Sequence, residues 1–307
     1  MFIMKGANNE RVMVLTLENR NNDWSGRDIF VISDLHIGDG SAKDNLGKGS
    51  HQLLMMRLLD KIETAGARLV ILGDLFELWR YRPEAVVQRW VQLLDRLHRM
   101  DVIYVPGNHD WQFWRDREYW QRQHPFFTSL QKPFTVSIGT KHFKFMHGHE
   151  IDPVTPGFFE ELRPLLRIMT STLEFRSDMC LVTSDAMTDA LQEAGEQVLY
   201  LWQRLTRQFN RAIHEHLGFT DDGWRRMIRP IRTRNMIARF YRQQQQGLYD
   251  VTITGHTHKA GRFGNWYFNC GSWTQSMGQY LHINPDGQVV VNDWTLEGNK
   301  INQTIVL

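Results

Sequence analysis

At 307 residues, with 42% hydrophobic and 23% charged side chains, the chain has the composition of an ordinary globular protein. A disordered tail, a collagen-like repeat and a disulfide-stapled miniprotein are excluded. Lys and Arg number 36 against 34 Asp and Glu, and the formal charge of +2 is too small to point to nucleic acid as a partner. The 13 His, set against two Cys, direct attention to imidazole as a metal ligand.

From the N-terminus, Lys5, Glu10 and Arg11 interrupt the first residues, so they hold no apolar stretch of signal-peptide length. Next comes a strand-like run, Asp28–Ser33, followed by a helical stretch, His51–Ala65, with Leu54, Leu58 and Ile62 on one stripe. A second run at Arg68–Leu72 precedes a helix over Pro83–Met100, opened by proline at its first position. Further runs at Asp101–Val105, His142–Met146 and Asp250–Thr254 are near-continuously apolar, which suits strands covered on both faces. Strand–helix alternation predicts a layered α/β domain. Three more strands are expected at Trp266–Asn269, Gln279–Ile283 and Gln288–Asn292, the last two joined by an Asn-Pro-Asp-Gly turn. Between them, residues 153–247 read as almost entirely helical and as an insertion into the core; Arg204–Arg242 alone carries ten Arg against Glu215, Asp221 and Asp222. The expected organisation is an extension over 1–27, a core over 28–152 and 248–307, and the insertion over 153–247. Cys180 and Cys270 form no CxxC pair, and no apolar run approaches the roughly 18–20 residues of a membrane span. A soluble cytoplasmic protein is expected, at most peripheral to a membrane.

Each strand-like run up to Thr254 ends in a residue able to bind metal: Asp34-Leu-His36, Gly73-Asp74, Gly107-Asn108-His109-Asp110, His147-Gly-His149 and Gly255-His256-Thr-His258. One such ending is ordinarily a turn former or a helix cap, but five in succession are poorly explained that way. Carboxylate, imidazole and amide donors without thiolate suit Mn²⁺, Fe²⁺ or Zn²⁺. Carboxyl ends of strands form the crevice of open α/β sheets, where such side chains can converge, and a preceding glycine permits the turn that aims them.

That succession, D-x-H, G-D, G-N-H-D, H-G-H and G-H-x-H, resembles the calcineurin-like metallophosphoesterases. The resemblance implies a four-layer αββα sandwich holding two divalent metals, most characteristically Mn²⁺, bridged by one Asp. Carried onto this chain, one metal takes Asp34, His36, Asp74 and His258, and the other takes Asp74, Asn108, His147 and His256. His109 becomes the acid or charge stabiliser, oriented by Asp110. Gly73-Asp-Leu-Phe-Glu-Leu-Trp79, Asn269-Cys-Gly-Ser-Trp273 and the helical insertion further resemble the UDP-2,3-diacylglucosamine hydrolases of lipid A synthesis. In those enzymes the insertion is a lid over acyl chains, and the pyrophosphate is cleaved to UMP and a lipid 1-phosphate. Two positions depart from their pattern, with His109 where they commonly carry Arg and His149 where they tend to carry Asp.

The resulting expectation is a dinuclear hydrolase of a phosphoanhydride or phosphodiester, with metal-activated water as nucleophile. Its substrate contains phosphate and is nucleotide-lipid if the second resemblance holds; Trp79, His149 and Trp111 are candidates to contact it. Peripheral contact with the inner membrane through the insertion is part of this expectation, and nucleic acid is not. Two alternatives stand beside it: a phosphodiesterase or phosphatase of small soluble nucleotides, and a metal-binding scaffold without catalysis.

Overall fold

A computed structural model describes residues 24, 26–41, 44–47, 49–151, 236–274 and 277–304. Strand β1 (Ile29–Ile32) is followed by α1 (Gly49–Thr64), β2 (Arg68–Leu72), α2 (Pro83–Arg89), α3 (Val91–Arg99) and β3 (Ile103–Val105). Short helices α4 (Trp111–Arg115) and α5 (Arg117–Gln123) and a 3₁₀ turn (Pro125–Ser129) lead to the hairpin of β4 (Phe134–Ile138) and β5 (Lys141–Phe145). Further along the chain come β6 (Val251–Thr254), β7 (Gly261–Phe263), β8 (Tyr267–Asn269), β9 (Gly278–Ile283), β10 (Val289–Thr295) and β11 (Gly298–Ile301).

These strands form two sheets, ordered β11-β10-β9-β1-β2-β3 and β4-β5-β6-β8-β7. Strands β1, β2 and β3 run parallel in the first, and β5, β6 and β8 run parallel in the second. The pleat divides each strand between two cores. Ile29 and Val31 of β1 join Val70, Leu72, Phe143, Phe145, Ile253 and Phe268 between the sheets. Phe30 and Ile32 point the other way, onto Leu54, Leu58, Leu94 and Leu97 of α1 and α3. The outer face of the second sheet is covered by helical residues 236–244, where Met236, Ile237 and Phe240 pack with Met146 and Tyr267. The order is therefore helix, sheet, sheet, helix, the four-layer α/β arrangement expected.

The strand runs read from the sequence are all present, to within one or two residues at most ends. The single helix expected over Pro83–Met100 is broken at Trp90, whose φ of −109° and ψ of 22° leave the helical region. Its buried indole donates from Nε1 to Gly38 O at 2.8 Å, and this tie to the loop after β1 sets where the second helix starts. Of the expected insertion over 153–247, only 236–247 lies within the described residues, and its helical part is packed on the sheet; of the extension over 1–27, residues 1–23 and 25 lie outside them, as does Cys180. Among the described residues no helix is long and apolar enough to cross a membrane.

Candidate metal centre

Parallel pairing brings the C-terminal ends of β1, β2 and β3 to one edge of the first sheet, and β5 and β6 do the same in the second. The five motifs follow these five strands directly, so the two sheets present them across one seam. The backbone turns sharply at most of them. Asp34 (φ 54°), His36 (50°), Asp74 (49°), His256 (68°) and His258 (57°) all adopt the left-handed region. Asp101, in the turn before β3, is the sixth such non-glycine residue among those described. This conformation costs an L-residue about 1–2 kcal/mol, so its concentration at one edge marks strain held for function. The glycines expected to relieve such turns divide by role. Gly73 turns, at φ 79°, and a Cβ there would also overlap the His147 ring, whereas Gly107 and Gly255 are needed for space alone: a Cβ on Gly107 would overlap Asp74 Oδ1, and one on Gly255 would stand 2.6 Å from Asp34 Oδ2.

Each central carboxylate spends one oxygen on the backbone and offers the other to the seam. Asp34 Oδ2 accepts from His256 N at 2.9 Å, while Oδ1 lies 3.1 Å from His258 Nε2 and 3.9 Å from His36 Nε2. Asp74 Oδ1 accepts from His109 N at 2.8 Å, while Oδ2 lies 3.2 Å from His147 Nε2 and 3.9 Å from His36 Nε2. Around these carboxylates lie two groups of donor atoms, Asp34, His36 and His258 in one and Asp74, His147 and His256 in the other, each within 4.8 Å of one another; His36, Glu77 and His109 form a third among the described residues. Asp74 Oδ2 faces histidines of both groups, the position a bridging ligand requires. Asn108, buried at 8% exposure, follows β3 beside this cluster.

Outer contacts fix which nitrogen each imidazole presents. His147 Nδ1 must carry hydrogen to donate to Leu72 O at 2.7 Å, which leaves Nε2 for the seam. His36 Nδ1 pairs with Glu77 Oε2 at 3.0 Å, and its Nε2 meets His258 Nε2 at 3.1 Å. Asp34 Oδ1 and His147 Nε2 are buried without a hydrogen bond. Lone pairs converging at such separations repel unless a proton or a cation stands between them, so the donor set fits divalent metal on its own geometry.

The electrostatics agree. Burial would raise the Asp74 pKa, but His147, His109 and His36 outweigh it and hold the carboxylate well below its usual range. Burial opposes protonation of His147 too, yet Asp74 and Asp34 push it up to about 10. Asp34 is likewise lowered, against its burial, by His147 and His258. The cluster draws positive charge strongly enough to retain protons where metal would sit.

His109 stands at the edge of this cluster with its own partners. Nδ1 bonds to Glu77 Oε1 at 2.9 Å, the ring stacks under Trp79 at 3.8 Å between centroids and 18°, and it is perpendicular to His36 at 4.6 Å. Its burial lowers basicity, but Asp74 and Glu77 outweigh that and raise its pKa. Glu77, buried yet bonded by both His109 and His36, is held at about 2. Asp110 was expected to orient His109, and the geometry corrects this. The Asp110 carboxylate is fully buried and accepts from Gly107 N at 2.6 Å, from Phe76 N at 3.2 Å and from Tyr104 OH, locking the loop rather than touching the imidazole. Glu77 lies three residues after Asp74 inside a stretch otherwise read as a family marker, and that spacing was the signal available for it.

His149 lies 5.4 Å from His147 and 6.2 Å from Trp111, ring to ring. Burial and the neighbouring His147 press its pKa down to about 4, so it is a neutral imidazole beside the centre. Trp79 and His149 thus border the cluster, and Trp111 stands against His149. The Asn269–Trp273 stretch works as scaffold: Asn269 Nδ2 donates to Gly255 O at 2.6 Å, Ser33 Oγ to Gly271 O at 3.2 Å, and Trp273 N to Asp34 O at 3.1 Å. Asp44, unnoticed in the sequence, holds the loop after β1 by accepting from the amides of Gly38, Gly40 and Leu46 at 2.8–2.9 Å.

The family model described as calcineurin-like phosphoesterase matches residues 28–260, which span all five motifs. Comparison with curated protein sequences gives no match.

Proposed function

The chain belongs to the calcineurin-like phosphoesterases, metal-dependent hydrolases of phosphoesters, and on that premise we propose that it hydrolyses the phosphoanhydride of a nucleotide-linked lipid of the UDP-2,3-diacylglucosamine kind, releasing UMP and a lipid 1-phosphate. The sequence features that support this substrate are Gly73–Trp79, Asn269–Trp273 and the insertion between the fourth and fifth motifs. The observation that carries the hydrolytic reading is the sharing of Asp74 Oδ2 between His36 and His147, at 3.9 and 3.2 Å.

Asp34, His36, Asp74 and His258 would hold one divalent ion, and Asp74, Asn108, His147 and His256 the second, with Mn²⁺ the first choice for both. Bound there, such ions supply Lewis acidity toward phosphoryl oxygens and lower the pKa of water near neutrality. The protein's own part is positional and electrostatic. His256 N and His109 N fix the two central carboxylates, and Leu72 O and Glu77 fix the imidazoles they face. His109 keeps Nδ1 engaged by Glu77, and Asp74 and Glu77 raise its pKa, which favours protonation at Nε2. It can donate to the departing oxygen, offsetting charge on a phosphate leaving group or giving its proton to an alkoxide. Phosphate leaves readily without a proton and an alkoxide does not, so the His109–Glu77 pair favours a second reading, hydrolysis of a small soluble phosphodiester. Under the lipid reading the insertion is the part expected to meet a lipid or a membrane surface, and in either case the enzyme is expected in the cytoplasm.

The test is incubation with UDP-2,3-diacylglucosamine and Mn²⁺, with products resolved by mass spectrometry and Asp74→Ala as control. UMP and lipid 1-phosphate that vanish in the control are expected. A preparation that cleaves bis(4-nitrophenyl) phosphate but leaves the lipid intact would sink the lipid assignment and select the second reading.

A further inference from the structure

We propose that Trp79 is a positioning residue that acts on turnover through His109, holding that imidazole in the one orientation from which Nε2 can reach the leaving oxygen. The proposal rests on the hydrolase reading but not on the lipid substrate. Trp79 was a candidate for substrate contact from its place in the sequence, and the geometry gives its faces and edges other work. Its indole lies over the His109 ring at 3.8 Å and 18°, within parallel-stacking range. Its Nε1 donates to Asn108 O at 3.1 Å, the carbonyl of the peptide that leads into His109. Its backbone N donates to Glu77 Oε1 at 3.2 Å, the same oxygen that His109 Nδ1 engages at 2.9 Å. One residue therefore touches the imidazole ring, its hydrogen-bond acceptor and the backbone before it.

That triple contact matters because a single hydrogen bond at Nδ1 leaves the ring free to rock about its Nδ1–Oε1 axis. A stacked indole on the ring removes that motion. His36, perpendicular to the ring at 4.6 Å, limits it further. Displacing a catalytic group by about 1 Å costs roughly 10²-fold in rate, so loss of the stack is expected to appear in kcat.

The experiment compares wild type, Trp79→Ala, Trp79→Phe, His109→Ala and the Trp79→Ala/His109→Ala double variant, each with bound Mn²⁺ quantified. The substrates are two lipid-free phosphodiesters, one with a 4-nitrophenolate leaving group and one with an alkoxide. Trp79→Ala is expected to lower kcat on the alkoxide ester by roughly 10²-fold with little change in KM. It is expected to cost far less on the nitrophenyl ester, which departs without a proton, and nothing further in the His109→Ala background. Trp79→Phe, which keeps a ring over the imidazole, should recover most of the loss. A loss of equal size on both esters, a loss that persists in the His109→Ala background, or one carried by KM would overturn the proposal. Trp79→Leu takes the place of the alanine variant if that one does not fold. Independently of turnover, the His109 Cε1–H proton resonance of the metal-free protein should sit upfield under the indole ring current and return downfield in Trp79→Leu. An unmoved resonance would overturn the stacking role. A wild type inactive on every ester would sink the hydrolase reading and this proposal with it, whereas failure on the lipid alone leaves the test intact.

Discussion

A proton and a divalent cation compete for one place beside Asp74. His147 commits Nδ1–H to Leu72 O, so the contested atom is Nε2, 3.2 Å from Asp74 Oδ2. Its pKa of about 10, set against burial by Asp74 and Asp34, means that the metal-free protein carries that proton at neutral pH. The sign follows directly. The folded value lies above the ordinary histidine value of 6.5, so this contribution to metal-free stability is full below pH 6.5 and fades as pH rises toward 10. Metal uptake must expel the proton, so Mn²⁺ affinity should climb with pH across that window. Calorimetry at pH 7.5 in two buffers of different ionisation enthalpy should report release of about one proton or more per centre. Uptake with no release would mean that His147 is already neutral.

Among the elements, the strand ends and the turns that follow them build the centre, and the glycines between are sized to it. Gly107→Ala would drive a methyl into Asp74 Oδ1, the oxygen that His109 N secures. Loss of Mn²⁺ binding is expected, together with about 1–3 kcal/mol of stability, the usual cost of overpacking. Gly49→Ala, in open space at the start of α1, is the matched control and should leave both unchanged. Denaturant titration and metal stoichiometry read the two effects.

At this scale the sequence was legible where burial is two-sided. Strands β1, β2, β3 and β6 announce themselves because nearly every residue is buried. Strand β4 mixes half-buried Thr135 and Val136 with exposed Ser137, and β7 and β11 are short and partly exposed, so each carries little apolar signal. The break at Trp90 depends on an acceptor 52 residues away, beyond the reach of local pattern. The metal-ligand candidates were legible because five strand ends repeat one chemistry. Glu77 offered only its spacing from Asp74, since its role comes from contacts to His36 and His109, 41 and 32 residues distant. Nor does an Asp or His betray in its identity that its φ is positive.

For the molecule as a whole, the centre lies where the two sheets meet. Asp34 belongs to the first sheet and His256 to the second, and the bond between them joins residues 222 positions apart. His147 of the second sheet reaches Leu72 of the first, and Trp273 N closes onto Asp34 O. No half of the fold contains the centre by itself.

That placement has a kinetic consequence. Contacts of such sequence separation form only after both sheets have been built and brought together, late along the folding route. An ion that needs the finished seam has no early structure to nucleate, and its grip lies beyond the transition state. It should work as a latch on the native state, leaving the rate of folding nearly as it is without metal and slowing the rate of unfolding. Chevron plots with and without Mn²⁺ should therefore share their refolding limb and part along the unfolding limb. The lifetime of the folded protein, more than the speed at which it arrives, would then be set by metal supply.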